Sequence, residues 1–378
     1  MDFTPNDTQR LVQQTARDYA QKTILPQAAA IDREERFPFE ILKGLADLGL
    51  MAVNVPASLG GAEAGVVAYS LAMQEVARTC ASTAVTMAVT NMVGEVIAKF
   101  GTREQAEKHC PKIADGTYAA GAFALSEPGA GSDPGAMRTT ARKVGDRWIL
   151  DGQKMWITSG AHAGVMVVWA RTGGPGTGGI SCFLVEKGQK GLIVGHHEDK
   201  MGLRGSNTVS LTFEGCELPE TALLGDLNGG FKIAMMALDG GRIGISSQAL
   251  GIAAAAHDES IVYAKDRQQF DHPIADFQAI QWMIADSQTE LDAGRLLCLR
   301  AASMKERGVP FSKEASMSKV FCTESAVRIC NRAVQIHGGY GYTREFAAER
   351  HLRDVRVTTI YEGTSQVQKI VIARSALK

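Results

Sequence analysis

The period of the hydrophobic pattern changes twice along this chain, and that change restricts the fold more than any single motif does. Between residues 1 and about 120 apolar side chains recur near 3.6: Val12, Ala16, Tyr19, Ala20 and Thr23 form one stripe, and Ile41, Leu42, Leu45 and Leu48 a second. Pro26, Phe37-Pro38 and the run Pro56 to Gly61 mark helix ends and loops, and Asp115-Gly116 closes the last helical segment. From 121 to 225 the period is two. Val209, Leu211 and Phe213 alternate with Ser210, Thr212 and Glu214, as a half-buried antiparallel strand requires. Residues 147–150, 165–172 and 180–186 are further strand-like runs; the glycine-rich link Gly173 to Gly179 between the last two reads as a hairpin loop in preference to a phosphate cradle. After Gly230 the helical period returns, with Ile280, Met283, Ile284, Ser287 and Leu291 on one face and a continuation from Ala315 to Val334.

This order predicts an α+β fold: an N-terminal α-helical domain (1–120), a middle antiparallel β domain (121–225) and a C-terminal α-helical domain (226–378). Segregated elements exclude an alternating, doubly wound sheet and its dinucleotide site. Forty basic against forty-one acidic side chains leave a net charge of -1, so no field draws in nucleic acid or an anionic membrane. Seven cysteines without a CxxC pair fit free thiols in a reducing compartment. The first residues resemble neither a signal nor a transit peptide, and no uninterrupted apolar run approaches the roughly 20 residues of a membrane span, so a cytoplasmic chain with no membrane span is expected. His196-His197-Glu198-Asp199 suggests a metal only superficially, because neighbours on a strand face opposite ways; a solvated loop is the better reading and no metal is expected.

Three segments offer chemistry. Leu125-Ser-Glu-Pro-Gly-Ala-Gly-Ser-Asp133 has glycines that let backbone amides approach a ligand, with hydroxyls at Ser126 and Ser132. Lys154-Met-Trp-Ile-Thr158 places an aromatic plate, Trp156, and a hydroxyl, Thr158, on one face of a strand. Tyr361-Glu-Gly-Thr364 presents one carboxylate. Taken singly, these are a turn, a core tryptophan and a surface charge.

Together with Arg267-Gln-Gln-Phe270, Phe277-Gln278 and Gln335-Ile-His-Gly-Gly339, in this order and across essentially the whole chain, they resemble the acyl-CoA dehydrogenase family, most of all its short-chain and short-branched-chain types. The resemblance implies helical, β and four-helix-bundle domains in sequence, a homotetramer built as a dimer of dimers, FAD as cofactor, an acyl-CoA substrate and an electron-transfer flavoprotein as partner. It places the flavin and its pyrophosphate at Phe123, Leu125, Ser126, Gly131, Ser132, Trp156, Ile157 and Thr158. It gives the remaining FAD contacts, largely across a subunit interface, to Arg267, Phe270, Gln278, Gln335, Ile336, Gly338, Gly339, Thr364 and Gln366. Ser132, Asp239, Arg242 and Gly363 match substrate contacts.

By the same resemblance Glu362 is the catalytic base. An α-proton of a thioester is weakly acidic, so its base must be desolvated and the enolate oxygen must meet donors, in this family the N–H of the base itself and a ribityl hydroxyl. Relatives that carry the base elsewhere place it where Gly241 stands, which leaves Glu362 as the one candidate. Where the family commonly has Phe-Gly after the FAD-binding arginine, this chain has Phe270-Asp271, which puts the local backbone in question. The competing functions are an acyl-CoA oxidase using O2, which in this superfamily commonly carries an additional C-terminal helical domain, a flavin monooxygenase, which lacks the glutamate, and a non-catalytic acyl-thioester binding protein. Met87, Met92 and Val93, on the helix from Ala84 to Phe100, are expected as walls of an acyl pocket suited to short or short-branched chains.

Overall fold

Local signals set the helices of the first third. In the computed structural model, which describes residues 4–377, α1 (Asp7–Tyr19) opens with a reciprocal cap in which Asn6 and Gln9 each accept the other's backbone N–H at 2.9 Å. Pro26 does not end the helical run as expected. The chain passes through a π turn (Ala20–Ile24) and a 3-10 turn (Leu25–Gln27) into α2 (Ala28–Glu34), with Pro26 in a first turn where a missing N–H is harmless. Ile41, Leu42 and Leu45 bury one face of α3 (Phe39–Asp47), whereas Leu48 caps that helix and is 41% exposed. α4 (Val66–Thr79) and α5 (Ala81–Phe100) follow, then α6 (Arg103–Ala114). By length and composition α5 could cross a membrane, but 89% of its apolar window is buried inside the protein, as suits a core helix.

The middle of the chain forms an eight-stranded, mainly antiparallel sheet: β1 (Gly121–Ala124), β2 (Thr140–Val144), β3 (Arg147–Thr158), β4 (Val165–Arg171), β5 (Ile180–Glu186), β6 (Leu192–His197), β7 (Thr208–Pro219) and β8 (Leu223–Leu224). The order is β6-β7-β3-β2-β4-β5-β8, and β1 joins β4 in parallel. β4 and β5 are almost wholly buried because both their faces are covered. Val165, Val167 and Trp169 pack into the core shared with the helices, and Met166, Val168 and Ala170 into the core of the β domain. The indole N–H of Trp169 donates to the Gly230 carbonyl at 2.7 Å and so ties this sheet to the next helix.

That helix, α7 (Gly230–Asp266), has 37 residues and runs about 55 Å. It packs against α4, α5, α8 (Gln278–Glu306) and α9 (Ser312–His337), while α10 (Ala348–Arg356) and α11 (Ser365–Ala376) close on α9. Small residues permit the closest crossing: a Cβ on Gly251 would lie 2.4 Å from the Gln74 carbonyl oxygen of α4. Between α7 and α8 a short hairpin joins β9 (Gln268–Gln269) to β10 (His272–Pro273). Phe270 and Asp271 both adopt positive φ there (55° and 64°), the backbone of a two-residue type I′ turn, so the acid occupies a conformation for which glycine is the easier residue. All seven cysteines are buried and free. His197 hydrogen-bonds Lys200 at 2.7 Å, and the His196-His197 pair ends β6 instead of lying in a loop.

One polar cluster joins all three parts of the chain. Arg353 on α10 bridges Asp32 of α2 at 2.8 Å and Glu349 at 2.6 Å and reaches the Met201 carbonyl, while the neighbouring Asp354 accepts the Leu203 N–H at 2.6 Å. Burial raises the Asp354 carboxyl from 3.8 to about 6, against the opposing pull of the Leu203 N–H. A carboxyl with a raised folded-state pKa stabilises the fold below its unfolded pKa and loses that contribution as pH rises through the folded one. Thermal melts should therefore show wild type losing ground to Asp354→Asn between roughly pH 4 and 7 and holding a constant gap above that; a gap independent of pH throughout would refute the assignment.

Candidate active site

Glu362 lies in the loop before α11, and its position is fixed through its backbone. Glu362 and Gly363 both take positive φ (54° and 85°), a conformation that needs external support in a non-glycine residue. The Gly363 carbonyl accepts from Lys319 Nζ at 2.8 Å and Gln368 Nε2 at 2.9 Å, and the same amide reaches the Glu362 carbonyl at 3.3 Å. Thr364 caps α11 by accepting the Val367 N–H, and Ser365 Oγ donates to Glu324 at 2.6 Å. Gln366 is exposed on the first turn of α11, directed away from this loop's buried contacts.

The carboxylate end meets little that is polar. Glu362 Oε2 is buried without a hydrogen-bond partner. A Cβ on Gly241 of α7 would stand 2.5 Å from that oxygen and 3.2 Å from Met92 Sδ, so the missing side chain of Gly241 is the space the carboxylate occupies. Burial raises the Glu362 carboxyl from 4.5 to about 7, and the charges of Arg242 and Lys319 restrain the rise. Arg242 Nη1 is itself paired with Asp239 at 2.5 Å and donates to Ser316 at 3.2 Å, while its Nε is buried and unpartnered. Beside this group a cleft of ≈ 550 Å³ is lined by Tyr69, Met92, Glu95, Val96, Lys99 and Phe100, by Met236, Ala237 and Asp239 to Gly241, and by Lys305 and Gly308 to Ser312. Met92 is thus an apolar wall as expected. Met87 and Val93 are not: they are buried in the helical core, and Val93 abuts Gly121 at the start of β1.

Leu125 to Ser132 and Lys154 to Thr158 come together at the edge of the β domain. The Met155 N–H donates to the Ser126 carbonyl at 2.9 Å, and Glu127 and Ala130 exchange backbone hydrogen bonds in a tight turn. A bulge in β3 opposite β7, with Trp156 at φ 64°, pushes the indole outward so that it is 60% exposed, while Ile157 points into the core. Simple alternation would have placed Trp156 on the buried side with Lys154; the bulge between Lys154 and Ile157, invisible in the sequence, aims the aromatic plate outward. Around Gly129 and Gly131 no atom would meet an added Cβ, and Ser132 is exposed. Phe123, on the strand that leads to this turn, packs against Trp169 with ring centroids 4.3 Å apart and planes tilted by 48°.

Two charged residues inside these segments were overlooked as sequence features. Lys154 is fully buried and donates to Glu127 at 2.9 Å and the Leu125 carbonyl at 3.2 Å; Glu127 also accepts the Arg138 and Thr139 N–H groups at 2.6 and 3.0 Å. Burial lowers the Lys154 ammonium to about 8, opposed by Glu127. Glu127, although burial pushes it upward, stays below its ordinary value because Lys154 and the backbone donors favour the anion. The signal for Lys154 was a charged residue at an inward strand position, an even number of residues from the buried Trp148 and Leu150.

A third group forms near the far end of α7. Arg267, Ile336, Gly338 and Gly339 line a cleft of ≈ 490 Å³ with Tyr263, His337 and Tyr340; His337 stacks on Tyr263 at 4.3 Å, and the Arg267 guanidinium stands 5.8 Å over the Tyr340 ring. Gln278 and Gln335 are exposed at the adjoining helix ends, and Phe270 projects from its hairpin 84% exposed. Along α7 this cleft lies about 39 Å from Gly241.

The helical–β–helical order, with a buried carboxylate oxygen beside a cleft and an exposed indole next to a glycine-rich turn, is that of the acyl-CoA dehydrogenase fold. The N-terminal, middle and C-terminal domains of acyl-CoA dehydrogenases match residues 6–117, 122–216 and 228–377, and the chain belongs to the acyl-CoA dehydrogenase family of enzymes. It is 49% identical over 375 residues to the mitochondrial short-chain specific acyl-CoA dehydrogenase of Bos taurus, covering 98% of this chain and 90% of that protein. Among solved structures, butyryl-CoA dehydrogenase from Megasphaera elsdenii superimposes with a TM-score of 0.98 at 38% identity over all of both chains. A structure described as the electron transferring flavoprotein of Acidaminococcus fermentans does so with the same score at 42% identity, again over all of both chains.

Breaking the Glu127–Lys154 pair from one side strands a buried carboxylate. Lys154→Met should cost on the order of 3 to 5 kcal/mol in denaturant unfolding, and Glu127→Gln/Lys154→Met should recover part of it. Additive losses in the double variant would show that the two side chains do not act as a pair.

Proposed function

We propose that the chain oxidises a short acyl-CoA to its trans-2-enoyl thioester, with Glu362 removing the α-proton, FAD as the cofactor, and an electron-transfer flavoprotein receiving the electrons. The observation that carries this reading is the Glu362 carboxylate, whose free oxygen is buried and whose pKa is raised to about 7, the state of a general base poised near neutral pH. No other carboxylate stands at Gly241 to share the task.

The residues present fit FAD. Trp156 offers an exposed ring over a turn whose glycines leave room for close approach, with Leu125, Ser126, Gly131, Ser132 and Thr158 around it. Arg267, Gln335 to Gly339, Phe270 and Gln278 suit an adenosine diphosphate, a guanidinium and aromatic faces being what a pyrophosphate and a base need. That second group lies about 39 Å along α7 from Gly241, beyond the reach of one dinucleotide whose ring sits at Glu362. The separation supports an assembly in which each chain lends Arg267 to a neighbour's cofactor, and the exposed, positive-φ Phe270 beside it supports the same arrangement. We place this within a homotetramer made as a dimer of dimers. When bound, the flavin supplies the hydride acceptor. Glu362 holds the proton on its buried oxygen and offers its N–H to the thioester; Asp239, Arg242, Ser132 and Gly363 line the approach of the substrate, and Met92 and its neighbours exclude water. The short-chain and butyryl-CoA relatives support a short acyl group, and the flavoprotein structure supports the electron acceptor.

Glu362→Gln keeps the size of the side chain and removes the basic oxygen, so it should retain yellow flavin and bind enoyl-CoA while flavin bleaching by acyl-CoA slows by about 100 to 10,000-fold. Anaerobic stopped-flow mixing reads this, and bleaching within about tenfold of wild type would end the proposal. In the wild type the acid limb of kcat/KM should fall near pH 7, since the base works only when ionised. Arg267→Ala should loosen FAD and weaken assembly together, measured by flavin content and sedimentation; a stable assembly holding FAD normally would exclude the cross-chain contact.

A further inference from the structure

α9 carries a lysine where its pattern calls for a small or apolar residue. Ala315, Cys322, Ala326, Ile329 and Ala333 bury one face of this helix, and Lys319 lies on that same face with no part of it exposed. A buried ammonium costs several kcal/mol unless it is paired, yet Lys319 forms no ion pair among the described residues, and its hydrogen bond goes to the Gly363 carbonyl at 2.8 Å. Arg242, the other cation near Glu362, differs: its charge is engaged by Asp239. Of the two cations that act on the Glu362 carboxyl, only the lysine has a charge not engaged by an ion pair among the described residues.

Resting on the reading of Glu362 as the base, we propose that Lys319 is a positioning residue for it, holding the Glu362–Gly363 backbone through the Gly363 carbonyl while its uncommitted charge favours the ionised carboxylate. The geometry gives both parts. The contact falls on the peptide immediately after Glu362, where two successive positive φ values need support, and the ammonium enters from α9. Other charged or titratable groups face this carboxylate: Arg242 with Asp239 from α7, Tyr69 from α4 with Glu95 of α5 beyond it, and Tyr361 of the same loop, hydrogen-bonded to Gln248. Glu324 of α9 acts on Lys319 while accepting from Ser365. Burial lowers the Lys319 ammonium to about 8 while Glu362 holds it up, and Lys319 in turn restrains the rise of the Glu362 carboxyl. Each thus favours the charge of the other.

The test titrates Glu362 directly. In the FAD-bound protein without substrate, the infrared band of the protonated carboxyl, identified by its loss in Glu362→Gln, is followed against pH in wild type, Lys319→Met, Lys319→Gln and Lys319→Arg. Removing the charge should raise the midpoint by about one unit or more, a tenfold weaker acid, and Arg should restore it; the acid limb of kcat/KM should move the same way. Lys319→Gln keeps an N–H for the Gly363 carbonyl and decides the matter where Lys319→Met fails to fold. An unmoved midpoint in the Gln variant, or equal shifts in Gln and Arg, overturns the proposal. Absence of flavin bleaching by any acyl-CoA in wild type would instead sink the reaction assigned above and leave the infrared comparison valid.

Discussion

Burying a carboxylate costs several kcal/mol unless charge or hydrogen bonds offset it, and much of the helical architecture is committed to surrounding one. α5 brings Met92, α7 brings the bare Gly241 and Arg242, α9 brings Lys319, and α11 brings Gln368 to hold the loop. None of the cations touches the carboxylate at ion-pair distance among the described residues. The carboxylate is thus influenced by charge at a distance instead of by contact, and its buried oxygen has no hydrogen-bond partner. A direct salt bridge in the same place would have stabilised the ion and removed its basicity.

The second constraint is that this pocket must meet the β domain in fixed register. Consecutive residues of α5 do part of that: Met92 lies beside Glu362, and Val93 packs on Gly121, from which β1 leads to the turn at Leu125. The Trp169 bond to Gly230 does the same from the start of α7. Within the β domain the Glu127–Lys154 pair joins the turn to β3, so the exposed Trp156 is carried on a buried ionic strut. Interior strands whose two faces serve different cores give this joint its rigidity.

What the sequence made legible follows from what periodicity measures. The helical stripes, the alternation in β7 and the paired strands β4 and β5 depend on local burial, and they appear in the pattern. Leu48 departs because helix ends obey capping and not the stripe, and Pro26 because one turn of irregular helix absorbs it. Trp156 owes its direction to a bulge against β7, a partner more than fifty residues away, which no window of local sequence contains. Met87 and Val93 have the same composition as a pocket wall, and only three-dimensional packing separates them from Met92. Lys319 was legible in principle, since the spacing from Ala315 and Cys322 puts it on the buried face, but its meaning appears only once the Gly363 carbonyl stands opposite. Glu362 reads as a surface charge in isolation, and its context of separate motifs, not its neighbours, singled it out.

The length of α7 has a genetic consequence. With Gly241 and Arg267 about 39 Å apart on one helix, and Arg267 lent to a neighbouring chain as proposed, no site is encoded by a single polypeptide copy. A pair formed from one chain altered at Arg267 and another altered at Glu362 then contains one site bearing both lesions and one bearing neither. Two inactive alleles would restore each other in mixed assemblies, whereas two lesions near the same carboxylate would not, and the pattern of complementation would map which residues share a site.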